Sequence, residues 1–305
     1  MASNPGYNPN DLMGDSAEET WANLQEQEGQ PLVNHAGAET LPPGSIFKII
    51  TTAAGLNNGF DPSSTLTGSN VITLPDTVTE LTNYANQKCN GQDAVTLQTA
   101  FALSCNTAFV EMSEQIGADE LRKYAKAFGV GENYDLGVST SAGTLGDLPD
   151  GAATAQSAIG QRDVTMTALQ AAVMAGTVAN KGTRMQPYLV NRITDAQMKD
   201  VRTTKPKKAD QAVNEETAAT LTDLMYASER SSAGYDGNGF ASKTGTAEHG
   251  EGLAPHVWYV AFDPERDIAV GVVVKNGGNL GESATGGKVS GPIGRAILRA
   301  YQGEQ

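Results

Sequence analysis

Hydrophobic residues recur at helical spacing in several segments of the chain and alternate with polar residues in a few shorter ones. The helical spacing predicts helices at residues 18–24, 46–56, 95–104, 106–128, 165–180 and 214–228, and from residue 292 onward. The alternating pattern predicts a strand at 71–74 and three strands in the last quarter, at 240–246, 256–262 and 267–275. The order predicts a helical block followed by an antiparallel sheet and a closing helix.

Two stretches lack either pattern. Residues 129–160 are rich in Gly, Ser and Asp, which predicts long loops and short edge strands that rim a cleft. Residues 199–208 are basic, and we expect them to be mobile.

Composition excludes some classes of partner without identifying one. The 305 residues carry 21 basic and 35 acidic side chains, and the net charge of −14 argues against nucleic acid or an anionic membrane surface as a partner. The longest apolar run, residues 268–274, is too short to span a bilayer. No secretory signal opens the chain. We therefore expect a cytosolic protein or the soluble piece of a longer one.

The sequence contains two cysteines, Cys89 and Cys105. Neither they nor His35, His249 and His256 have the spacing of a zinc site, and we expect no metal and no cofactor. The spacing leaves two alternatives open, a pair of buried free thiols or one disulfide, and it slightly favours the free thiols.

One short stretch combines a nucleophile with a base. A break at Pro42, Pro43 and Gly44 precedes Ser45, and Lys48 follows three residues later on the same face of the predicted helix. A lysine among hydrophobic residues has a lowered pKa and can take the proton of a serine hydroxyl. The backbone N–H groups at a helix start also favour developing negative charge. The stretch is a candidate acylation site, although an ordinary helix start explains the pair when it is taken alone.

Two further motifs suit the same chemistry. Ser104 and Asn106 lie at a polar corner between two predicted helices, and Lys243-Thr244-Gly245 lies in the first predicted strand of the sheet. Chance alone gives about one Ser-x-x-Lys, about one Ser-x-Asn and about a tenth of a Lys-Thr-Gly in such a chain. The order and the local settings of the three motifs therefore make the case.

Each of these residues also has a simpler interpretation. Thr244 and Thr246 are ordinary strand formers, and the polar corner suits a helix cap. His249 or His256 would serve as the base of a rival serine triad. We favour the lysine because it already neighbours Ser45.

The three motifs resemble those of penicillin-binding proteins and serine β-lactamases. From about residue 3 to residue 300 the chain is most similar to the transpeptidase domain of class B penicillin-binding proteins, of the actinobacterial PbpA type. The segments that carry this similarity are 7–10, 42–48, 104–109, 158–164, 178–182 and 284–288. Cys105 departs from the Asp that β-lactamases commonly have there, which weakens only the β-lactamase interpretation.

The resemblance implies an α+β fold of the serine β-lactamase and penicillin-binding-protein type, in which helices flank an antiparallel sheet. It implies a single transpeptidase domain over residues 1–305. An all-helical subdomain would occupy about 57–180, and the sheet-bearing part would occupy about 1–56 and 181–305. A membrane anchor and a non-catalytic domain would precede this domain in the full protein.

For catalysis, the resemblance implies that Ser45 attacks the carbonyl carbon of the penultimate D-alanine of a peptidoglycan stem peptide, and that Lys48 takes the serine proton. Ser104 and Lys243 would relay a proton to the leaving D-alanine and later accept one from the incoming amine.

For binding, the resemblance implies that Asn106 holds the acyl-side amide of the substrate and that Thr244 and Thr246 bind its terminal carboxylate. Gly245 would let the substrate backbone approach closely. The backbone N–H groups of Ser45 and Thr246 would form the oxyanion hole.

The resemblance also implies work on the extracytoplasmic face of the membrane, which favours a disulfide between Cys89 and Cys105. The implied partners are stem peptides, β-lactams as covalent inhibitors and a glycosyltransferase. Two alternatives remain: a D,D-carboxypeptidase or β-lactamase-like hydrolase, and a β-lactam sensor that does not turn over. The sequence has no Glu-x-x-Leu-Asn segment like that of class A β-lactamases, which counts against a β-lactamase of that class.

Overall fold

The computed structural model describes residues 1–250 and 252–303 of the chain. The α-helices in these residues are α1 (Ala17–Glu26), α2 (His35–Ala38), α3 (Lys48–Leu56), α4 (Leu97–Leu103), α5 (Asn106–Ala127), α6 (Gly151–Ala158), α7 (Ala168–Ala179), α8 (Glu215–Ser231) and α9 (Ser290–Gly303). The predicted helices are confirmed, each within a few residues of its bounds. Side chains that favour helix starts explain several bounds: Thr96, Thr167 and Asn214 each accept a backbone N–H at the start of α4, α7 and α8.

The strands in the described residues are β1 (Thr65–Thr67), β2 (Val71–Thr73), β3 (Glu80–Thr82), β4 (Ala94–Thr96), β5 (Thr183–Met185), β6 (Arg192–Thr194), β7 (Asp200–Thr203), β8 (Lys208–Gln211), β9 (Ala241–Ala247), β10 (His256–Asp263) and β11 (Ile268–Val274). The last three form an antiparallel sheet in the order β11–β10–β9, as predicted. The others pair into two-stranded ribbons, β1–β4, β2–β3, β5–β8 and β6–β7.

Helices cover both faces of the three-stranded sheet. On one face Tyr259 and Ala261 pack with Leu298 of α9. On the other, Trp258 and Val260 belong to the main hydrophobic core, which also contains residues of α3, α5, α7 and α8. All eight residues of β10 are buried as a result. In the strand order of this sheet β10 is central and β9 is an edge strand.

Helix α3 runs through the middle of the protein. Its residues from Lys48 to Gly55 are all buried, and a Cβ on Gly55 would lie 2.8 Å from Met112 Sδ of α5. The helix that follows the candidate nucleophile is therefore fixed by packing on every side.

The predicted boundary near residue 180 divides the chain differently from the packing. Helix α7, which the prediction assigned to the helical subdomain, lies directly on the sheet: a Cβ on Gly271 of β11 would lie 2.6 Å from Ala168 O and from Ala172 N. The described residues include no helix that is both long and apolar enough to cross a membrane.

The prediction for residues 129–160 was wrong in part, and residues 199–208 contain strands that were not predicted. Residues 129–160 contain α6, whose small side chains pack closely against α5 and lack the large hydrophobic residues that signal a helix. None of the residues that line the cleft described below comes from this stretch. Residues 199–208 contain β7 and the first residue of β8. All residues of both strands are exposed, so no alternation of buried and exposed side chains marked them as strands.

Candidate active site

Ser45 lies in the first turn of the 3-10 helix Gly44–Phe47, which leads directly into α3. Backbone N–H groups in a first turn have no acceptor within the helix, which suits the oxyanion role predicted for the Ser45 N–H. Gly44 has φ of +53°, and a Cβ there would lie 2.7 Å from Thr246 O. Glycine is required here because any side chain would push the nucleophile away from β9.

Lys48, the first residue of α3, is fully buried. Its Nζ donates to Ser104 O at 2.7 Å and to Asn106 Oδ1 at 2.8 Å. Burial, reinforced by the charge of Lys243, holds the pKa of Lys48 well below the usual value for lysine. A neutral amine has two N–H groups and one lone pair; the two short bonds use both N–H groups and leave the lone pair to accept a proton. Among the described residues, no hydrogen bond joins Lys48 to the Ser45 hydroxyl.

Ser104 forms the bend between α4 and α5. Its φ of 62° and ψ of 39° lie in the left-handed region, which is uncommon for a residue with a side chain. This conformation places the Ser104 hydroxyl 2.9 Å from Lys243 Nζ and 3.4 Å from Lys48 Nζ. The bend is therefore the point at which the three sequence motifs meet.

Lys243 is fully buried on β9. Besides its bond to Ser104, its Nζ donates to Thr244 O at 3.1 Å and lies 5.7 Å from the centre of the Phe101 ring. Burial lowers the pKa of Lys243 to about 7. Its ammonium and amine forms are therefore both populated near neutral pH, as a proton relay requires.

A cavity of about 180 Å³ opens beside Ser104. The residues that line it come from α4, the end of α8, β9 and the segment before α9: Ala102, Leu103, Ser104, Ser228, Ser231, Ser232, Ala233, Thr244, Thr246, Thr285, Gly286 and Gly287. Thr244 and Thr246, for which the resemblance implies carboxylate binding, both line this cavity. The hydroxyls of Ser231, Ser232 and Thr285 were not anticipated, although segment 284–288 had been noted for its similarity to the family.

Close packing within the protein explains the glycine at position 245, in place of the predicted close approach of the substrate backbone. A Cβ on Gly245 would lie 2.8 Å from Pro43 O and 3.1 Å from both Ile46 Cγ2 and Trp258 Cβ. Protein atoms fill the space that substrate backbone was expected to use. The missing side chain lets β9 pack against the nucleophile segment.

The nucleophile segment is held by bonds at both of its ends. Trp258 Nε1 donates to Pro42 O at 2.8 Å, and the Gly44 N–H donates to Gly160 O at 2.9 Å. Gly160 therefore has a structural role at this position.

A buried ion pair behind β9 was missed by sequence reasoning. Glu229 of α8 accepts from Arg295 Nε of α9 at 2.7 Å and from the Tyr259 hydroxyl at 3.0 Å, and the Ser242 hydroxyl donates to the same carboxylate. Arg295 also donates to Ala233 O at 3.0 Å, in the wall of the cavity. Burial alone would raise the pKa of Glu229, but its bonds from Arg295 and Ser242 lower it overall. No local pattern marks two residues that meet from separate helices.

The cysteines and histidines lie outside the reacting set. Cys89 and Cys105 are joined in a disulfide directly after Ser104. The rings of His249 and His256 stack with centroids 3.9 Å apart. Burial and the neighbouring His249 lower the pKa of His256 to about 4, and neither ring is bonded to Ser45. This arrangement does not support the rival triad.

Comparisons with known proteins show the family of this chain. A family model described as the penicillin binding protein transpeptidase domain matches residues 1–299. Peptidoglycan D,D-transpeptidase PbpA of Mycolicibacterium smegmatis is 43% identical over 98% of this chain, and PbpA of Mycobacterium tuberculosis is 41% identical over 100% of it. The chain spans 63% and 64% of the length of these two relatives.

Solved structures give the same result. Penicillin-binding protein A of M. tuberculosis, as its ceftriaxone acyl-enzyme complex, matches with a TM-score of 0.94 and 41% identity, over 98% of this chain and 69% of that one. Its penicillin G acyl-enzyme complex matches with a TM-score of 0.93 and 41% identity, over 99% of this chain and 71% of that one.

Proposed function

Because the chain belongs to the family of penicillin-binding protein transpeptidase domains, we propose that it is a peptidoglycan D,D-transpeptidase that works through an acyl-enzyme on Ser45. The observation that carries the proposal is the meeting of three motifs at one bend: Lys48 and Lys243 both donate to Ser104. The activity named for the two PbpA relatives supports the same assignment here.

Acylation begins with the amine of Lys48. Its lone pair takes the proton of the Ser45 hydroxyl, and Ser45 Oγ forms a bond to the carbonyl carbon of the penultimate D-alanine. Negative charge develops on the carbonyl oxygen, where the N–H groups of Ser45 and Thr246 stabilise it. These donors are fixed before the substrate arrives, because Gly44 packs the nucleophile segment directly against Thr246.

Collapse of the tetrahedral intermediate breaks the bond between carbon and nitrogen. The leaving nitrogen takes a proton from the Ser104 hydroxyl, which Lys243 replenishes, and D-alanine departs as the free amine. The acceptor amine then attacks the ester carbon and gives its surplus proton to the same relay. A new amide bond forms as the ester bond to Ser45 Oγ breaks, and Lys48 returns the proton to Ser45.

Substrate binding follows from the charges around the cleft. The hydroxyls of Thr244 and Thr246 and the ammonium form of Lys243 suit the terminal carboxylate of the stem peptide. Asn106 suits the amide on the acyl side. A β-lactam presents the same carboxylate and amide, but its leaving nitrogen stays tethered to the acyl group after ring opening, so the ester is long-lived.

We place this chemistry on the extracytoplasmic face of the cell membrane, where peptidoglycan is assembled, with a glycosyltransferase as the partner that supplies glycan strands. The disulfide between Cys89 and Cys105 supports an oxidising compartment.

A donor-plus-acceptor assay tests the proposal. The protein is incubated with a peptide that ends in D-Ala-D-Ala and with an amine acceptor, and mass spectrometry follows both products. We expect D-alanine release with transfer to the amine, and no release by Ser45→Ala. Release without transfer would indicate a hydrolase. A penicillin adduct without any peptide turnover would indicate a sensor.

A further inference from the structure

Helix α5 carries Asn106 at its first position but begins without a side-chain cap of its own. Its N-cap residue is Cys105, which makes no side-chain bond to the helix and whose sulfur is joined to Cys89. The first four N–H groups of any helix lack intrahelical acceptors. At this helix start, which is buried beside the cleft, an acceptor has to come from elsewhere in the chain.

Asn83, the residue after β3, provides that acceptor. Its Oδ1 accepts from the Thr107 N–H at 3.1 Å, as the side chain of an N-cap residue does. Its Nδ2 donates to Ser69 O at 2.9 Å, and Thr107 Oγ1 at 3.1 Å and Gln87 O at 3.2 Å are also within hydrogen-bond distance of it. Asn83 is 6% exposed and Thr107 is fully buried, so water cannot replace these bonds without a rearrangement.

The residue before Asn83 orients the amide of Asn106. Asn106 Nδ2 donates to Thr82 O at 3.2 Å, while Asn106 Oδ1 accepts from Lys48. One N–H of the Asn106 amide is thereby used and the other is left to donate to a ligand. The chain from Thr82 to Cys89 therefore contacts the bend from Cys105 to Thr107 at three points: a carbonyl, a buried amide and a disulfide.

We propose that Asn83 is a positioning residue for the reaction, which caps α5 from outside the helix and holds Asn106 and the strained bend at Ser104 in place. This inference rests on the proposed role of Asn106 in binding the acyl-side amide. A left-handed residue such as Ser104 persists only where its surroundings hold it. Lys48 holds the bend from one side through Ser104 O, and Asn83 holds the helix start that follows.

The side chain of Asn83 has to be an amide, because it accepts one N–H and donates to two carbonyl groups. An aspartate there keeps the acceptor but sets a carboxylate against Ser69 O and Gln87 O. An alanine loses both functions and leaves the buried Thr107 N–H without a partner. Asn83→Asp therefore loses only the bonds that anchor Asn83, whereas Asn83→Ala also loses the cap on α5.

The test compares two β-lactams. Penicillin G carries an acylamino side chain that Asn106 would bind, whereas imipenem has a hydroxyethyl group at that position. Second-order acylation rate constants and the fraction of protein acylated are measured by mass spectrometry for the wild type, for Asn83→Ala and Asn83→Asp, and for Asn70→Ala. The last is a matched control that loses only a bond to Asn86 at the surface.

We expect Asn83→Ala to lower the rate constant for penicillin G roughly 3- to 10-fold more than that for imipenem, as the loss of one aligned hydrogen bond predicts. The loss for penicillin G relative to imipenem should be smaller in Asn83→Asp than in Asn83→Ala. Asn70→Ala should match the wild type with both drugs. Equal losses with both drugs, or a lower acylated fraction with unchanged rate constants, would overturn the proposal in favour of a purely structural role.

Amide hydrogen exchange tests the cap without any ligand. The Thr107 N–H should exchange faster in Asn83→Ala than in the wild type, while Asn83→Asp retains most of the protection. Unchanged protection in Asn83→Ala would contradict the capping role. If instead the wild type forms no adduct with either drug, the proposed function fails, and the exchange result still decides whether Asn83 caps α5.

Discussion

Lys243 donates to the hydroxyl of Ser104 at 2.9 Å from a fully buried position on β9. Lys48, equally buried, donates to the carbonyl of the same residue at 2.7 Å. Two lysine side chains cannot both be charged in a site that excludes water without a large cost in free energy, because each loses its hydration and each repels the other. Burial and the charge of Lys243 hold the pKa of Lys48 well below the usual value for lysine, and burial lowers the pKa of Lys243 to about 7.

The first prediction concerns the pH dependence of acylation. The pKa of Lys243 is lowered to about 7 by burial, so its proton is progressively lost above that pH. Acylation by penicillin should fall along an alkaline limb centred near pH 7, since the relay then lacks its proton. The second-order rate constant measured from about pH 5.5 to 9 reports the free enzyme. A rate that stays level up to pH 9 would show that Lys243 does not supply the proton.

The same buried lysine should make stability depend on pH. Its folded pKa of about 7 lies below the value of 10.5 for an ordinary lysine, so the unfolded chain binds more protons between these values. The free energy of unfolding should therefore rise with pH above 7, by up to about 1.4 kcal/mol per pH unit for one such group. Below pH 7 the cost of burying the ammonium is fully present.

Urea unfolding at pH 7, 8 and 9 measures this slope. Lys243→Met should remove the part due to Lys243, whereas Lys288→Met, at an exposed site, should leave the slope unchanged. Identical slopes in the wild type and in Lys243→Met would contradict the assignment.

A third prediction concerns the ion pair behind the sheet. Glu229→Ala leaves the guanidinium of Arg295 buried and unpaired, which should lower the free energy of unfolding by about 3–5 kcal/mol. Lys181→Ala breaks the exposed pair with Glu215 and should cost less than about 1 kcal/mol. Chemical denaturation of both variants makes the comparison, and equal losses would argue against a structural role for the buried pair.

The elements predicted well from the sequence are those whose pattern is set by a large hydrophobic core. A buried stripe or a buried run of hydrophobic residues is present in each of the strands β9 to β11 and the helices α4, α5 and α7, and this pattern is visible in the sequence. Helix α6 was missed because it packs through Ala, Thr and Ser, and β7 was missed because none of its side chains is buried. Small residues and exposed strands leave no hydrophobic period to detect.

Local sequence patterns also limit how much of the candidate site could be predicted. Ser45, Lys48, Ser104 and Lys243 lie in short motifs, so the sequence alone was enough to propose them as site residues. The residues that hold this site in place do not lie in such motifs. The bond from Thr107 to Asn83 joins residues 24 positions apart, and the ion pair of Glu229 with Arg295 joins residues 66 positions apart. Such contacts arise only when the topology brings separate elements together.

The disulfide gives a fourth prediction. Thiol titration under denaturing conditions without reductant should find no free thiol, because Cys89 and Cys105 are joined. Replacing both by alanine should lower stability by about 3 kcal/mol, the estimate for a closed loop of this size. Two titratable thiols in the unreduced protein would contradict the bond.

The central claim is that Ser45 is the nucleophile. The most direct test incubates the protein with a labelled penicillin, maps the adduct by peptide mass spectrometry and follows its decay. We expect one adduct per chain on Ser45 that persists far longer than its formation takes, and none on Ser45→Ala. No adduct, or an adduct on another residue, would contradict the account.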